Sequence, residues 1–405
     1  MIHLYTDMKV GKTRKTNKIR KLLIAIIVIV VGAIGAVALL QWFSSTREIQ
    51  PTILSNLVDS EEVVPNLSWP NYGQTSIATE NQGIVATHGD QTPHPTASTA
   101  KVIAVLAILE KKPLKLGETG EKLTLTEADV KLYDDYVAKN GSNTQVSNGL
   151  ELTEYQALQS ILLASSNNMA DSLAIWAFSS LEEYSKYAND MVERYGTTQT
   201  TIGNDASGFD PTTLSTSDDM ALLSLKALEN PVISEITSQQ KADIPLAGTI
   251  YNSNALLSKD SGIIGIKTGE TVEAGGNFLL GAKYESNGES QNVVVVVFGA
   301  DEAKNAIIDS YTLYKSISNS LTYAEIIPAG TSVAEYKLLN GTTARAVNNQ
   351  AIRAWTWAGK VSDPKVSVNS ITSQTANCSE VGAVSYGAVS VPVALSRDNQ
   401  TCQTE

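Results

Sequence analysis

Histidine is scarce in this chain of 405 residues, which holds only His3, His88 and His94. Most metal-hydrolase sites need more imidazole than that, and no HExxH run occurs, so metal-dependent hydrolysis finds no support. No GxSxG elbow is present either, which leaves His88 and His94 without the context of a Ser-His-Asp site. Cysteine is limited to Cys378 and Cys402, with no CxxC to suggest redox work. Aromatic residues make up 6% of the chain, and its five tryptophans read as packing or interfacial side chains. Basic residues are also few beyond the first 21 positions. There, seven Lys and Arg against Asp7 leave +6, so a whole-chain charge of −12 leaves −18 for everything that follows. A body this acidic is no partner for nucleic acid. Disorder is excluded for most of the chain, because apolar residues (42%) recur throughout.

What the sequence does contain begins with a long uncharged run. Leu22–Leu40 reads LLIAIIVIVVGAIGAVALL, nineteen residues that nearly span a hydrocarbon core of about 30 Å. The basic head, residues 1–21, precedes it, and Trp42 and Phe43 follow as interfacial anchors. The long run and the lack of a small-x-small cleavage site favour a retained single-pass anchor over 22–43 rather than a cleaved signal peptide. The positive-inside rule then puts the N-terminus in the cytoplasm and the body outside. Outside the cell, Cys378 and Cys402 are either a disulfide closing the tail or two free thiols.

Residues 44–73 are polar, contain Pro51, Pro65 and Pro70, and read as a stalk. TSIATE and GIVATHG form a hairpin pattern around Asn81-Gln82-Gly83. Helical periodicity begins at Ser98, recurs over 153–164 with Thr153 as N-cap, and again over about 169–178. GIIGIKTG and NFLLGAKY flank a glycine-bearing turn, NVVVVVFG reads as a fully buried strand, and 301–321 is helical. The expected catalytic body, 74–322, is thus a mixed α/β (α+β) domain, an antiparallel sheet flanked by helices. Beyond Tyr323, short Val-, Ala- and Thr-rich runs alternate with turn residues, so 323–405 is expected to be a small C-terminal β domain.

Three short motifs carry chemistry: Ser98-Thr99-Ala100-Lys101, Ser165-Ser166-Asn167 and Lys267-Thr268-Gly269. Alone each is weak. SxxK recurs at Ser362–Lys365, where Pro364 opposes a helix, and SxN recurs at Ser290 and Ser367. KTG occurs once, against roughly 0.1 expected from composition. Context gives the three their weight, because SxxK opens a helix, SxN lies between two helices and KTG ends a strand. A serine hydroxyl needs a base to become a nucleophile, and residues i and i+3 share a helix face, so Lys101 can reach Ser98. Lys101 must be neutral for that task, which calls for burial and a second cation such as Lys267. The Ser98 backbone N–H at a helix start suits a developing oxyanion. Lys267 and Thr268 offer an ammonium and a hydroxyl to a carboxylate, and Gly269 allows close approach of a bound chain.

In this order the motifs mark the penicillin-recognising serine acyl-transferases. The chain resembles their low-molecular-mass D-alanyl-D-alanine carboxypeptidase family, with its β-lactamase/transpeptidase-like fold. PTASTAKV is similar to the nucleophile segment, LLASSNNMADSLA to the second motif, and NDASGFDP with STSDDMALL to the Ser-Gly turn and following helix. NSNALL and GIKTGETVEAGGNFLLGA are similar to the third-motif region, and PAGTSVAEYKLLNGTTARAV to the C-terminal module. The resemblance implies Ser98 as acyl-ester nucleophile, Lys101 as its proton acceptor and Ser165 as proton relay to the leaving D-alanine. It implies Asn167 on the substrate amide, Lys267 and Thr268 on the terminal carboxylate, and an oxyanion hole from the N–H groups of Ser98 and Glu270. The expected substrate is a peptidoglycan stem peptide ending in D-Ala-D-Ala, with β-lactams as inhibitors and no cofactor or metal.

Three departures accompany the likeness. The second motif fits in two registers, Ser165/Asn167 or Ser166/Asn168. Glu270 puts a carboxylate next to the expected carboxylate-binding site. The apolar anchor lies at the N-terminus, and no amphipathic helix occurs near Glu405. Two other functions stay open: a class A-like β-lactamase, although no glutamate between the second and third motifs stands in ExxLN, and a non-catalytic wall-binding or sensing protein.

Overall fold

The computed structural model describes residues 13–55, 57–58, 62–397 and 402. Most of the basic head, residues 1–12, lies outside them, as do residues 56 and 59–61 of the expected stalk. The chain divides into two compact units. One comprises 62–323 with 355–359, and the other the chain before residue 62 with 324–354 and 360–405.

The second of these units opens with α1, Thr13–Thr46, whose span Asn17–Phe43 contains an 18-residue window with a mean hydropathy of 3.2, none of it buried. A helix apolar on every face and covered on none is long enough to cross a bilayer. Only Arg47 and Glu48 separate its end from Ile49, whose backbone exchanges hydrogen bonds with Ile371 at 2.7 and 3.0 Å. Strand β1, Thr52–Ile53, comes next.

The larger unit is built on a five-stranded antiparallel sheet. Strands β2 (Gln74–Thr79) and β3 (Gly83–His88) form its early hairpin. Helices α2 (Ala100–Lys111), α3 (Glu127–Ala138), α4 (Glu154–Leu162), α5 (Asn167–Phe178), α6 (Leu181–Arg194), α7 (Ser217–Glu229) and α8 (Pro231–Ser238) follow. Strands β4 (Ile263–Thr271), β5 (Gly275–Ser286) and β6 (Glu289–Ala300) and helix α9 (Ala303–Ser316) complete it. The sheet order is β4-β5-β6-β2-β3, which leaves β4 at an edge.

The run Val293–Val297 explains how the layers assemble. All five valines are fully buried, because side chains alternate across a strand and both faces of this one are covered. Val294 and Val296 belong to the buried cluster that α2, α5 and α7 share, and Val293, Val295 and Val297 to the one that holds Leu313 and Ile317; α7 and α9 pack on the strand itself. Helix α2 is buried from Ala100 to Leu109, as its nearly all-apolar sequence requires. A reciprocal cap starts α4, with Gln156 N–H on Thr153 Oγ1 at 3.2 Å and Thr153 N–H on Gln156 Oε1 at 3.0 Å. The helix expected over 169–178 begins two residues earlier, because the Ser166 hydroxyl accepts the Met169 N–H and caps it. That expected over 301–321 stops at Ser316 and gives way to a 3₁₀ turn, Ile317–Asn319.

The smaller unit's six-stranded sheet adds β7 (Ser332–Lys337), β8 (Thr343–Asn348), β9 (Lys365–Val368), β10 (Glu380–Tyr386) and β11 (Val389–Ser396). Its order is β1-β7-β8-β11-β10-β9. Part of the segment read as a stalk is therefore an edge strand, with Thr52 opposite Glu335 and Ile53 opposite Ala334. Cys378 and Cys402 are joined in a disulfide, their Cα atoms 5.2 Å apart.

Candidate active site

Ser98 sits in a single 3₁₀ turn, Ala97–Thr99, that leads into α2. From Thr96 to Leu109 every residue except Ser98 is buried, so the turn lifts one hydroxyl out of an otherwise enclosed segment. Ala97 reaches that turn with φ +47°, a left-handed conformation that costs a non-glycine residue energy. Lys101, one turn on, is fully buried and donates from Nζ to Ser98 Oγ at 2.7 Å, to Asn167 Oδ1 at 2.7 Å and to the Ser207 carbonyl at 2.9 Å. Burial disfavours its charged form and drives its pKa down to about 7, against the pull of the Asp205 and Asp171 carboxylates.

The two adjacent asparagines of the second motif divide cleanly. Asn167, the first residue of α5, faces Lys101. Asn168 turns the other way, donating to the Thr144 carbonyl at 3.0 Å and accepting from Thr144 N–H at 3.0 Å and the Ser166 hydroxyl at 2.8 Å. Ser166 and Asn168 thus hold α5 and a neighbouring loop together. Ser165 is nearly buried at φ +59°, in the link between α4 and α5.

The third motif lies on the edge strand β4. Lys267 is buried, its ammonium disfavoured by desolvation and by Lys101, and it donates to the Thr268 carbonyl at 3.0 Å. Thr268 Oγ1 pairs with Ser253 Oγ at 2.6 Å. A Cβ on Gly269 would stand 3.1 Å from Ser98 N and 3.0 Å from Thr99 N, tight enough that the Ser98 turn would have to give by a few tenths of an ångström. Glu270 turns its carboxylate to the start of α9 and accepts the Ala303 N–H at 2.7 Å, where an unpaired helix N–H favours an anion. The first two motifs meet at the Lys101 amine, and the third packs on the Ser98 turn through Gly269. His94 and His88 stand elsewhere, His94 Nε2 3.0 Å from the Ala274 carbonyl and His88 stacked on Trp69.

Four further residues of this region carry no role in the sequence reading. The turn Asp205–Asp210 closes over the Ser98 segment, and Gly208 at φ +70° leaves room for the Ala97 carbonyl, which a Cβ would meet at 2.1 Å. Asp205 organises the turn, accepting from Ser207 Oγ at 2.5 Å and Phe209 N–H at 3.0 Å. Asp171 accepts Tyr136 OH at 2.6 Å and Ala206 N–H at 2.8 Å. Desolvation first, then Asp205, raises Asp171 to about 6, and desolvation first, then Asp171 and Asp205, pushes up the phenol of Tyr136. A signal for Asp171 is present in the sequence, a lone acid within an otherwise uncharged helix. Tyr136 offers none, because α3 itself goes unread. An open cleft of about 630 Å³ runs between this turn and the end of β4, with Tyr136, Phe209, Asp210, Glu270 and Val272 in its walls.

The family model described as D-alanyl-D-alanine carboxypeptidase, of the S11 peptidases, matches residues 74–302. The chain is 26% identical over 216 residues to the D-alanyl-D-alanine carboxypeptidase DacF of Bacillus subtilis, covering 51% of this chain and 52% of that protein. It is 29% identical over 229 residues to DacB2 of Mycobacterium tuberculosis, covering 55% and 73%. The alignment thus spans about half the length of the Bacillus relative. Among solved structures, a peptidoglycan synthesis regulatory factor (PBP3) from Streptococcus pneumoniae superposes with a TM-score of 0.61 at 18% identity, over 82% of this chain and 99% of the other. That likeness shows a shared transpeptidase-like fold. With more than half of its residues matched to one family, the chain belongs to the S11 D-alanyl-D-alanine carboxypeptidases.

Proposed function

We propose that the chain is a serine DD-carboxypeptidase that removes the terminal D-alanine from peptidoglycan stem peptides and is inhibited by penicillin through the same serine. The observation that carries this reading is the 2.7 Å contact between a buried lysine amine and the Ser98 hydroxyl. In its neutral form, reached near pH 7, the amine keeps two N–H groups for Asn167 and Ser207, and its lone pair takes the hydroxyl proton as Ser98 Oγ attacks the carbonyl carbon of the penultimate D-alanine. The oxyanion is held by the N–H groups of Ser98 and Glu270. Ser165 relays a proton to the departing amine, D-alanine leaves, and water then hydrolyses the acyl ester. Asn167 holds the substrate amide, and Lys267 and Thr268 hold the terminal carboxylate. The edge position of β4 supports a substrate lying alongside it as an added strand. The Glu270 carboxylate accepts the Ala303 N–H at the α9 N-terminus, which supports a place for it away from that anion.

In this reading residues 74–322 are the catalytic domain, and α1 anchors the chain in the cell membrane with the body outside. The apolar exposed helix supports the anchor, and the Cys378–Cys402 disulfide supports an oxidising compartment.

The test is D-alanine release from a synthetic acyl-D-Ala-D-Ala peptide, paired with labelling by a fluorescent penicillin. Release and stable labelling, both lost in Ser98→Ala, are the expected results. Rapid turnover of penicillin points to a β-lactamase, and neither reaction to a binding protein.

A further inference from the structure

Helix α5 carries one carboxylate into the interior. Asp171 stands one turn beyond Asn167 and is 3% exposed, a position where an acid needs partners for both oxygens. Its oxygens work separately, Oδ2 accepting the Tyr136 hydroxyl and Oδ1 the Ala206 N–H. The next residue, Ser207, turns its carbonyl to Lys101 Nζ. One carboxylate thus grips a backbone turn whose neighbouring carbonyl grips the lysine.

We propose that Asp171 is a positioning residue for Lys101: through the Ala206–Ser207 peptide it fixes the carbonyl that aims the lysine amine at Ser98, and it places a buried negative charge behind that amine. This rests on the reading of Lys101 as proton acceptor. The amine is faced by Asp171 from α5, by Asp205 from the turn before α7 and by Lys267 from β4. Tyr136 of α3 and Tyr184 of α6 are the titratable groups within reach of the two carboxylates, and both phenols are pushed up by burial and by those charges. Burial lowers Lys101 and the two carboxylates restrain the fall. Asp171 is itself raised to about 6, so it is ionised over the range in which Lys101 loses its proton.

The sign follows. Asp171→Asn removes one of two charges that favour the ammonium, so the neutral amine is reached at lower pH. The amide also has a single oxygen for two donors, which loosens the turn. Tyr136→Phe keeps the charge and the Ala206 bond. It deletes a hydrogen bond that favours the ionised acid, so Asp171 stays protonated to higher pH and the effect on Lys101 runs the same way, more weakly.

The experiment measures acylation of the full chain in detergent by a fluorescent penicillin, from about pH 5 to about pH 9. The acid limb is expected to move down by about one pH unit in D171N and by roughly half as much in Y136F, with the maximal rate down about tenfold in D171N. Folded variants whose limb coincides with wild type, whatever their melting temperature, overturn the proposal. If D171N does not fold, the limb of Y136F decides. A wild-type chain that takes up no penicillin defeats the functional reading itself, and the proposal falls with it. That outcome is visible before any variant is made.

Discussion

Asn167 and Lys101, 66 positions apart in the chain, meet at 2.7 Å, while Asn168 beside it faces Thr144. Two adjacent side chains of one type therefore have different tasks, one at the lysine and one in the scaffold.

Alanine at each position separates those tasks. Asn167→Ala is expected to slow penicillin acylation by about a hundredfold with little change in melting temperature. Asn168→Ala leaves the Thr144 N–H and carbonyl and the Ser166 hydroxyl without their buried partner, and is expected to cost about 1–3 kcal/mol of stability. Its acylation rate per folded molecule stays near wild type. Thermal melts and stopped labelling reactions on both variants check this, and the reverse pattern assigns the second motif to Ser166 and Asn168.

The buried ionisable groups predict how stability follows pH. Lys101 has its pKa lowered to about 7, so the unfolded chain binds more protons above that point and stability rises with pH from about 7 toward the ordinary lysine value. Asp171 has its pKa raised to about 6, so stability falls as pH climbs from the ordinary carboxylate range to that point. Each slope reaches at most about 1.4 kcal/mol per pH unit. The difference between denaturation curves of wild type and Lys101→Met isolates the lysine and is expected to grow on the alkaline side. A flat difference there means that Lys101 is charged in the folded state. Lys267, lowered well below its usual range, keeps part of the rise in both proteins.

In the smaller unit, the Cys378–Cys402 bridge closes a span of 24 residues. Replacing both with serine is expected to cost about 3 kcal/mol there. Ser98 lies in the other unit, so penicillin labelling at low temperature is expected to stay at the wild-type level. Loss of labelling in step with unfolding of the smaller unit overturns that expectation.

The contact between Lys101 and Ser98 was legible because it is local. Ser98 and Lys101 are one helical turn apart, so residue type and spacing alone bring an amine to a hydroxyl. Val293–Val297 announces a strand covered on both faces, because no other element hides five valines in a row so readily. Other features carry no such local sign. The strand Thr52–Ile53 joins the smaller sheet by backbone hydrogen bonds, which any residues can make, so its polar surroundings read as a stalk.

The sequence by itself determined the apolar helix, the three motifs and the buried valine strand of the main sheet, because each depends on side chains near one another along the chain. Only the tertiary structure decided which asparagine meets the lysine, which way Glu270 turns, that the two cysteines pair, and that Tyr136, Asp171 and Asp205 gather behind the amine. Those contacts join residues dozens of positions apart. Packing of whole helices and turns, rather than the preference of any one residue, brings them within hydrogen-bonding reach.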